Sequence, residues 1–230
     1  MIPVAETIAG KGAFVHDHPF YGGAIGIEGT DAAKELAESA DVVIAVGTRL
    51  QDFTTGSWTT FRYDAKFINI NTARFDAKKH FSNPIVGDAL ECLEELNSRL
   101  DGWVCDASRI DEARKLYSDW NEAIDKGQAP TNASFPSYAH VIAVVNKHAK
   151  PTDTMVTAAG GLPGETIKNW RVKASNTFDC EFGFSCMGYE IAGAWGHAMA
   201  MNGDGVPIVL VGDGSYMMMN SDIYSSVLSG

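Results

Sequence analysis

The chain has 230 residues, 45% of them hydrophobic and 20% charged, with a formal net charge of −11. That length allows one large domain or two small ones, and the acidity argues against a nucleic-acid surface, which needs clustered Lys and Arg. No apolar run reaches membrane-span length and no basic-then-apolar leader opens the chain, while four dispersed cysteines (Cys92, Cys105, Cys180, Cys186) with no Cys-x-x-Cys pair argue against a disulfide framework or a zinc site; a cytoplasmic location is the default expectation.

In chain order, Asp31 is placed to cap a helix running through Ala40. Val42-Val43-Ile44-Ala45-Val46 is a short β-branched run that reads as a buried strand ending at Gly47. Phe67-Ile68-Asn69-Ile70 and Pro84-Ile85-Val86 read as two further strands, and Asp88 as the cap of a helix through Leu100. Asp106 to Lys126 has the charge pattern of a solvated helix, and Gly127 to Pro136, with two prolines, reads as a linker.

A second unit begins at Tyr138, with Val141, Ile142 and Val145 at helical spacing up to His148. Thr154-Met155-Val156-Thr157 is a strand leading into Gly160-Gly161-Leu162-Pro163-Gly164, and Thr177 to Phe182 is another. Gly188 to Met201 reads as a helix whose small residues permit close approach to a sheet. Pro207 to Val211 is an apolar strand that breaks into Gly212-Asp213-Gly214-Ser215, with a helix expected beyond it. Strands alternating with helices predict an α/β fold of two doubly wound parallel-sheet units, residues 1–101 and 137–230, joined by a helical connector and linker over 102–136.

Asp213 brings one carboxylate to the carboxyl end of a strand, where open α/β sheets bind ligands, beside a helix N-terminus that favours an anion. Mg²⁺ takes one or two carboxylates plus phosphate oxygens, so this element suggests a metal-bridged diphosphate site; alone, Gly-Asp-Gly also reads as a plain β-turn. Gly160 and Gly161 either let the backbone approach a diphosphate or make an ordinary strand–helix turn. Met187 alone reads as a core methionine, Met217-Met218-Met219 as core, and Glu190 as a first-turn carboxylate with a substrate contact as the bolder alternative. His16 and His18, two apart on a loop, read as structural, and Asn220 and Asp222 as helix-face or capping residues.

Several of these motifs occur together in one family. Gly212-Asp213-Gly214-Ser215 resembles the start of the thiamine-diphosphate motif, and Gly183-Phe184-Ser185-Cys186-Met187-Gly188-Tyr189 resembles the Gly-Leu-Gly-Thr-Met-Gly-Tyr segment of thiamine-diphosphate-dependent enzymes of the acetolactate synthase type. Gly10-Lys11-Gly12-Ala13-Phe14, His18-Pro19, Gly26-Ile27-Glu28-Gly29-Thr30 and Ala45-Val46-Gly47-Thr48-Arg49 look like that family's central domain. The resemblance covers most of the chain and is weakest over 106–135. It implies Mg²⁺ on Asp213 and the diphosphate of thiamine diphosphate near the backbone of Gly160, Gly161, Gly212, Gly214 and Ser215. Met187 would be the bulky residue that bends the cofactor into its V shape, and the Met187 N–H and Ser185 carbonyl would contact the aminopyrimidine. Ser185 replaces the family's usual Gly, a change tolerated if its φ stays negative.

On the same resemblance, residues 1–101 are part of a central domain and 137–230 the first part of the cofactor-binding domain. The activating Glu and a second, Asn metal ligand would lie outside this chain, which implies a fragment inactive alone. The whole protein is expected to be a homodimer or homotetramer acting on a small-molecule substrate, with no nucleic-acid or membrane partner. Ala158-Ala159-Gly160-Gly161-Leu162-Pro163-Gly164, Ser185 through Gly193, and Asp52-Phe53-Thr54-Thr55 resemble the branch that hydrolyses a C–C bond of a cyclic polyhydroxylated dione in inositol catabolism. The synthases, which carboligate or decarboxylate 2-oxo acids, usually carry a Gly-Gln-His-type loop and Gly-Leu-Pro-Ala after Met-Gly-Tyr; Leu162 and Glu190-Ile191-Ala192 depart from that pattern. A non-catalytic phosphate- or nucleotide-binding module is the alternative outside the enzymes.

Overall fold

A computed structural model describes residues 2–229 as strands and helices that alternate along most of the chain. Strands β1 (Val4–Thr7) and β2 (Tyr21–Ile25) pair in parallel, and helix α1 (Asp31–Ser39) follows. Strand β3 (Val42–Val46), the short helix α2 (Asp52–Thr55), β4 (Lys66–Asn71), the short helix α3 (Arg74–Ala77), β5 (Asn83–Val86) and helix α4 (Ala89–Arg99) come next, with the sheet order β3-β4-β5. The long helix α5 (Ala107–Gly127) leads to α6 (Tyr138–His148) and to a third sheet of order β7-β6-β8. Its parts are β6 (Thr154–Thr157), helix α7 (Gly161–Asn169), β7 (Phe178–Cys180), helix α8 (Tyr189–Met201), β8 (Pro207–Val209) and helix α9 (Asp213–Ser229). Every pairing among the described residues is parallel, as the alternating pattern predicts.

The helix over 31–40 forms, but its cap is Thr30 and not Asp31: Thr30 Oγ1 accepts from Ala33 N at 3.2 Å. Asp31 is instead the first helical residue, where its carboxylate meets the positive end of the helix. Asp88 does cap α4, accepting from Leu90 N at 2.9 Å. The Met217-Met218-Met219 run is not core. Met217 and Met218 are 68% and 61% exposed, because α9 lies on α8 with only Ser215 buried and breaks its helical geometry at Met219. Asn220 and Asp222 fall on that helix, as their spacing indicates.

The largest core joins the two halves of the chain. Ile8 and Ala24 from the first part pack in one cluster with Ile142, Met155, Ile167 and Trp170 from the second. Backbone bonds follow the same seam: Asn176 N donates to Gly12 O at 2.8 Å and His16 N to Val172 O at 3.0 Å. Phe53 meets Phe182 edge-on at 5.1 Å, and Lys168 reaches Glu28 at 3.2 Å.

Two charged side chains are buried beside this seam. Glu6 accepts from Gly12 N (3.1 Å), Phe14 N (2.7 Å) and the Tyr21 hydroxyl (2.7 Å), so its carboxylate is satisfied. Lys11 lies over the Phe178 ring at 5.5 Å, and burial pushes its ammonium down from 10.5 to about 8 against the attraction of Glu6. Among the described residues no helix is long and apolar enough to cross a membrane.

Candidate functional site

Because β7, β6 and β8 run parallel, the three turns that follow them emerge at one edge of the sheet. The turn after β6 carries Gly160 and Gly161, the turn after β7 carries Ser185 and Met187, and the turn after β8 carries Gly212, Asp213, Gly214 and Ser215. Each of these turns opens a helix, so three helix N-termini also sit at that edge.

The methionine turn and the aspartate turn meet. A Cβ built on Gly214 would stand 3.4 Å from Met187 Cε, while one on Gly212 would meet nothing within 4 Å. Asp213 is exposed at the start of α9, with Oδ1 accepting from Gly214 N at 2.9 Å. Ser215 is buried behind it, and Tyr216 N closes the first helical turn on Gly212 O at 2.9 Å. Gly160 has φ +132°, a conformation that suits glycine, and its carbonyl accepts from Gly164 N at 2.8 Å. Gly161 begins α7 against the Tyr138 ring, 3.5 Å from where its Cβ would stand.

Ser185 departs from the backbone expected of it. Its φ is +52°, in the left-handed region that glycine enters freely and serine does not, so the substitution is made at a strained position and not a neutral one. Met187 N donates to Ser185 O at 2.9 Å. The two backbone groups that the sequence resemblance directs at an aminopyrimidine therefore satisfy each other here.

Acidic side chains surround this turn, and only Glu190 stands out in the sequence. Glu190 is fully buried; its Oε2 accepts from Gly188 N at 2.9 Å and its Oε1 has no partner. Glu181 accepts from Phe184 N and Cys186 N, each at 3.1 Å. Burial opposes the charged form of Glu181, yet the N–H groups of Cys186, Phe184 and Gly183 hold it below the usual carboxylate range. Its hydrogen bond and charge in turn push the Cys186 thiol up. Asp179 accepts from the Tyr189 hydroxyl at 2.6 Å and lies 3.0 Å from His197 Nε2. Burial and that bond raise Tyr189 to about 12. Burial, followed by the charges of Asp179, Glu181 and Glu190, likewise raises Cys180 to about 12. No spacing rule marks Asp179 and Glu181 in advance; they matter because β7 ends where the turn begins.

The residues fit a metal-bridged diphosphate cofactor. Gly214 leaves open the space that a side chain would fill in front of the Met187 thioether, and Gly212 borders open space. Glu190 Oε1 remains a buried acceptor without a donor, a cost that an anionic diphosphate would not relieve. Among the described residues no group of three or more His, Cys, Asp or Glu side chains could hold a metal, so a cation at Asp213 would draw its other ligands from water and phosphate. His16 and His18 serve the fold: His16 Nδ1 lies 3.0 Å from Val172 O and His18 Nδ1 accepts from Phe20 N at 3.3 Å.

Residues 1–96 match the thiamine pyrophosphate enzyme central domain, and residues 158–228 match the thiamine pyrophosphate enzyme C-terminal TPP binding domain. A 3D-(3,5/4)-trihydroxycyclohexane-1,2-dione hydrolase of Clostridium botulinum (strain Alaska E43 / Type E3) is 36% identical over 98% of this chain. Proteins of the same name from Geobacillus thermodenitrificans (strain NG80-2) and Bacillus anthracis (strain CDC 684 / NRRL 3495) are 36% and 35% identical over 100% and 98% of it. In each case the chain spans 39% of the relative's length.

Proposed function

The chain carries central-domain and C-terminal cofactor-binding-domain segments of the thiamine pyrophosphate enzymes, and we propose that it holds thiamine diphosphate through Mg²⁺ and serves the hydrolysis of a C–C bond in a trihydroxycyclohexane-1,2-dione. One observation carries the proposal: the Met187 thioether lies against Gly214, which joins the methionine turn to the aspartate turn at one sheet edge. Asp213 would be the protein's carboxylate ligand to Mg²⁺, and the positive N-terminal ends of α9 and α7 would favour the charge of the diphosphate. Gly160, Gly161, Gly212 and Gly214 let the backbone approach, and Ser215 anchors the first turn of α9 from its buried position.

A bound thiamine diphosphate would supply the nucleophilic and electron-accepting chemistry that C–C cleavage needs. Met187 would support the cofactor from beneath, and the Ser185–Met187 backbone pair would open for the Met187 N–H and Ser185 carbonyl to take the aminopyrimidine. Addition of water across the cleaved bond gives a ring-opened deoxy-uronic acid. The names of the relatives support this hydrolysis over acetolactate-synthase-like carboligation. A place in inositol catabolism is part of the same proposal. A homodimer or homotetramer in the cytoplasm belongs to the same reading.

The test is calorimetric titration with thiamine diphosphate, with and without Mg²⁺. Binding is expected to need the metal and to weaken at least about tenfold in D213N, which removes the charge and keeps the shape. Equal affinity in excess chelator, or in D213N, refutes the site. Turnover of the dione but not of pyruvate by the intact protein separates the hydrolase from a synthase.

A further inference from the structure

Each N–H from Phe184 to Tyr189 has a partner, and the partners alternate in kind. Ser185 N donates to Phe182 O (3.3 Å), Met187 N to Ser185 O (2.9 Å) and Tyr189 N to Cys186 O (3.1 Å). The three in between go to carboxylates: Phe184 N to Glu181 Oε1 and Cys186 N to Glu181 Oε2, both 3.1 Å, and Gly188 N to Glu190 Oε2 at 2.9 Å. Glu181 thus grips the turn from the β7 side with both oxygens, and Glu190 holds its far end from α8.

The geometry points to Glu181 as a positioning residue that presets the Gly183–Gly188 turn while leaving the Ser185–Met187 pair, which neither carboxylate touches, free to exchange partners. Strain at Ser185 makes such a device necessary. A serine at φ +52° relaxes unless its surroundings over-determine it, and no glycine is present there to remove the cost. Bonds from N–H groups to an ionised carboxylate are stronger than those to a neutral acceptor, so Glu181 supplies that constraint without touching Met187 N or Ser185 O. A turn already ordered loses less conformational freedom when a ligand replaces its internal bond. The clamp stands on the geometry alone; what it positions rests on the cofactor reading above.

The variant E181Q keeps the side chain's size but leaves a single accepting oxygen. Amide exchange at Phe184, Cys186 and Gly188 is measured by NMR in the intact, cofactor-free protein, beside the melting temperature and the Kd for thiamine diphosphate with Mg²⁺. Exchange is expected to quicken at least about threefold at Phe184 or Cys186 and to stay unchanged at Gly188, while Kd rises roughly tenfold at a constant melting temperature. E181A, which offers no acceptor, is expected to quicken both amides. Unchanged exchange in both variants overturns the clamp. Faster exchange with an unchanged Kd overturns the positioning role. If the wild-type protein binds no thiamine diphosphate, the cofactor reading falls and the exchange rates alone decide the clamp.

Discussion

Replacing Lys11 by Met should stabilise the protein at neutral pH and do much less at pH 10. Lys11 is 7% exposed, and burial lowers its pKa from 10.5 to about 8 although Glu6 attracts the charge. The folded state therefore binds fewer protons than the unfolded one between these values, so stability rises with pH across that window and the penalty is fully present below it. About 1.4 kcal/mol for each pH unit of that interval makes the penalty about 3 kcal/mol. Losing the ammonium's position over Phe178 takes back about 1 kcal/mol, which leaves a net gain of about 2 kcal/mol. For a chain of this size that is a rise of about 4–8 °C in melting temperature. The attraction of Glu6 is already counted in that net shift, and three donors keep its carboxylate satisfied once the ammonium is gone. The assay is thermal unfolding of both proteins from pH 7 to pH 10. The upper limit follows from Tyr117 and Tyr189, raised to about 12, whose unfolded forms ionise near pH 10 and reverse the slope. A K11M protein no more stable than wild type at pH 7, or one whose advantage persists undiminished at pH 10, would refute the reasoning.

Two further outcomes follow from the same structure. Glu6→Gln leaves one accepting oxygen for three buried or half-buried donors and should cost about 2–4 kcal/mol, read from the urea midpoint at constant slope; a loss under about 0.5 kcal/mol would show that water reaches the site. Gly188→Ala adds a Cβ that overlaps the Met219 side chain at φ +96°, so it should disorder the methionine turn and weaken thiamine diphosphate binding by roughly tenfold or more. The double variant with Met219→Ala should recover part of that loss, because one of the two causes is then gone; strictly additive effects would argue against the contact.

What the sequence makes legible depends on how local each signal is. Tyr138–His148 carries its own period and forms as a helix; Val42–Val46 forms as a strand, but the burial expected of it fails, since only Ala45 is buried and Val42 and Val46 lie exposed at its ends. β1 and β2 give no such signal: Val4–Thr7 is short and half polar, and Tyr21–Ile25 contains two glycines that weaken any strand pattern. The run Gly161-Leu162-Pro163-Gly164 reads as a turn, yet it opens α7, since Pro fits the first turn of a helix and buried Thr166 and Ile167 hold the rest in place. Met217 and Met218 look like core because they are apolar, but burial requires a covering layer that local composition does not report. At the candidate site the glycines, Asp213 and Met187 can be picked out by motif. Asp179 and Glu181 cannot, because their meaning depends on which backbone N–H groups the end of β7 brings within reach.

The shared core limits how this chain can be recombined. Ile8 and Ala24 complete a cluster whose other members come from the second half, and the Gly12 carbonyl and Val172 carbonyl bind across the boundary. A chimera that grafts residues 137–230 onto an unrelated first half would take Ile8 and Ala24 out of the cluster that holds Ile142, Met155 and Trp170 and strip Phe178 of its Lys11 and Gly12 cover, just ahead of the turn that carries Met187. The two halves are therefore a poor place to exchange parts between enzymes: a graft that keeps the methionine turn working has to bring the segment from Ile8 to His18 with it.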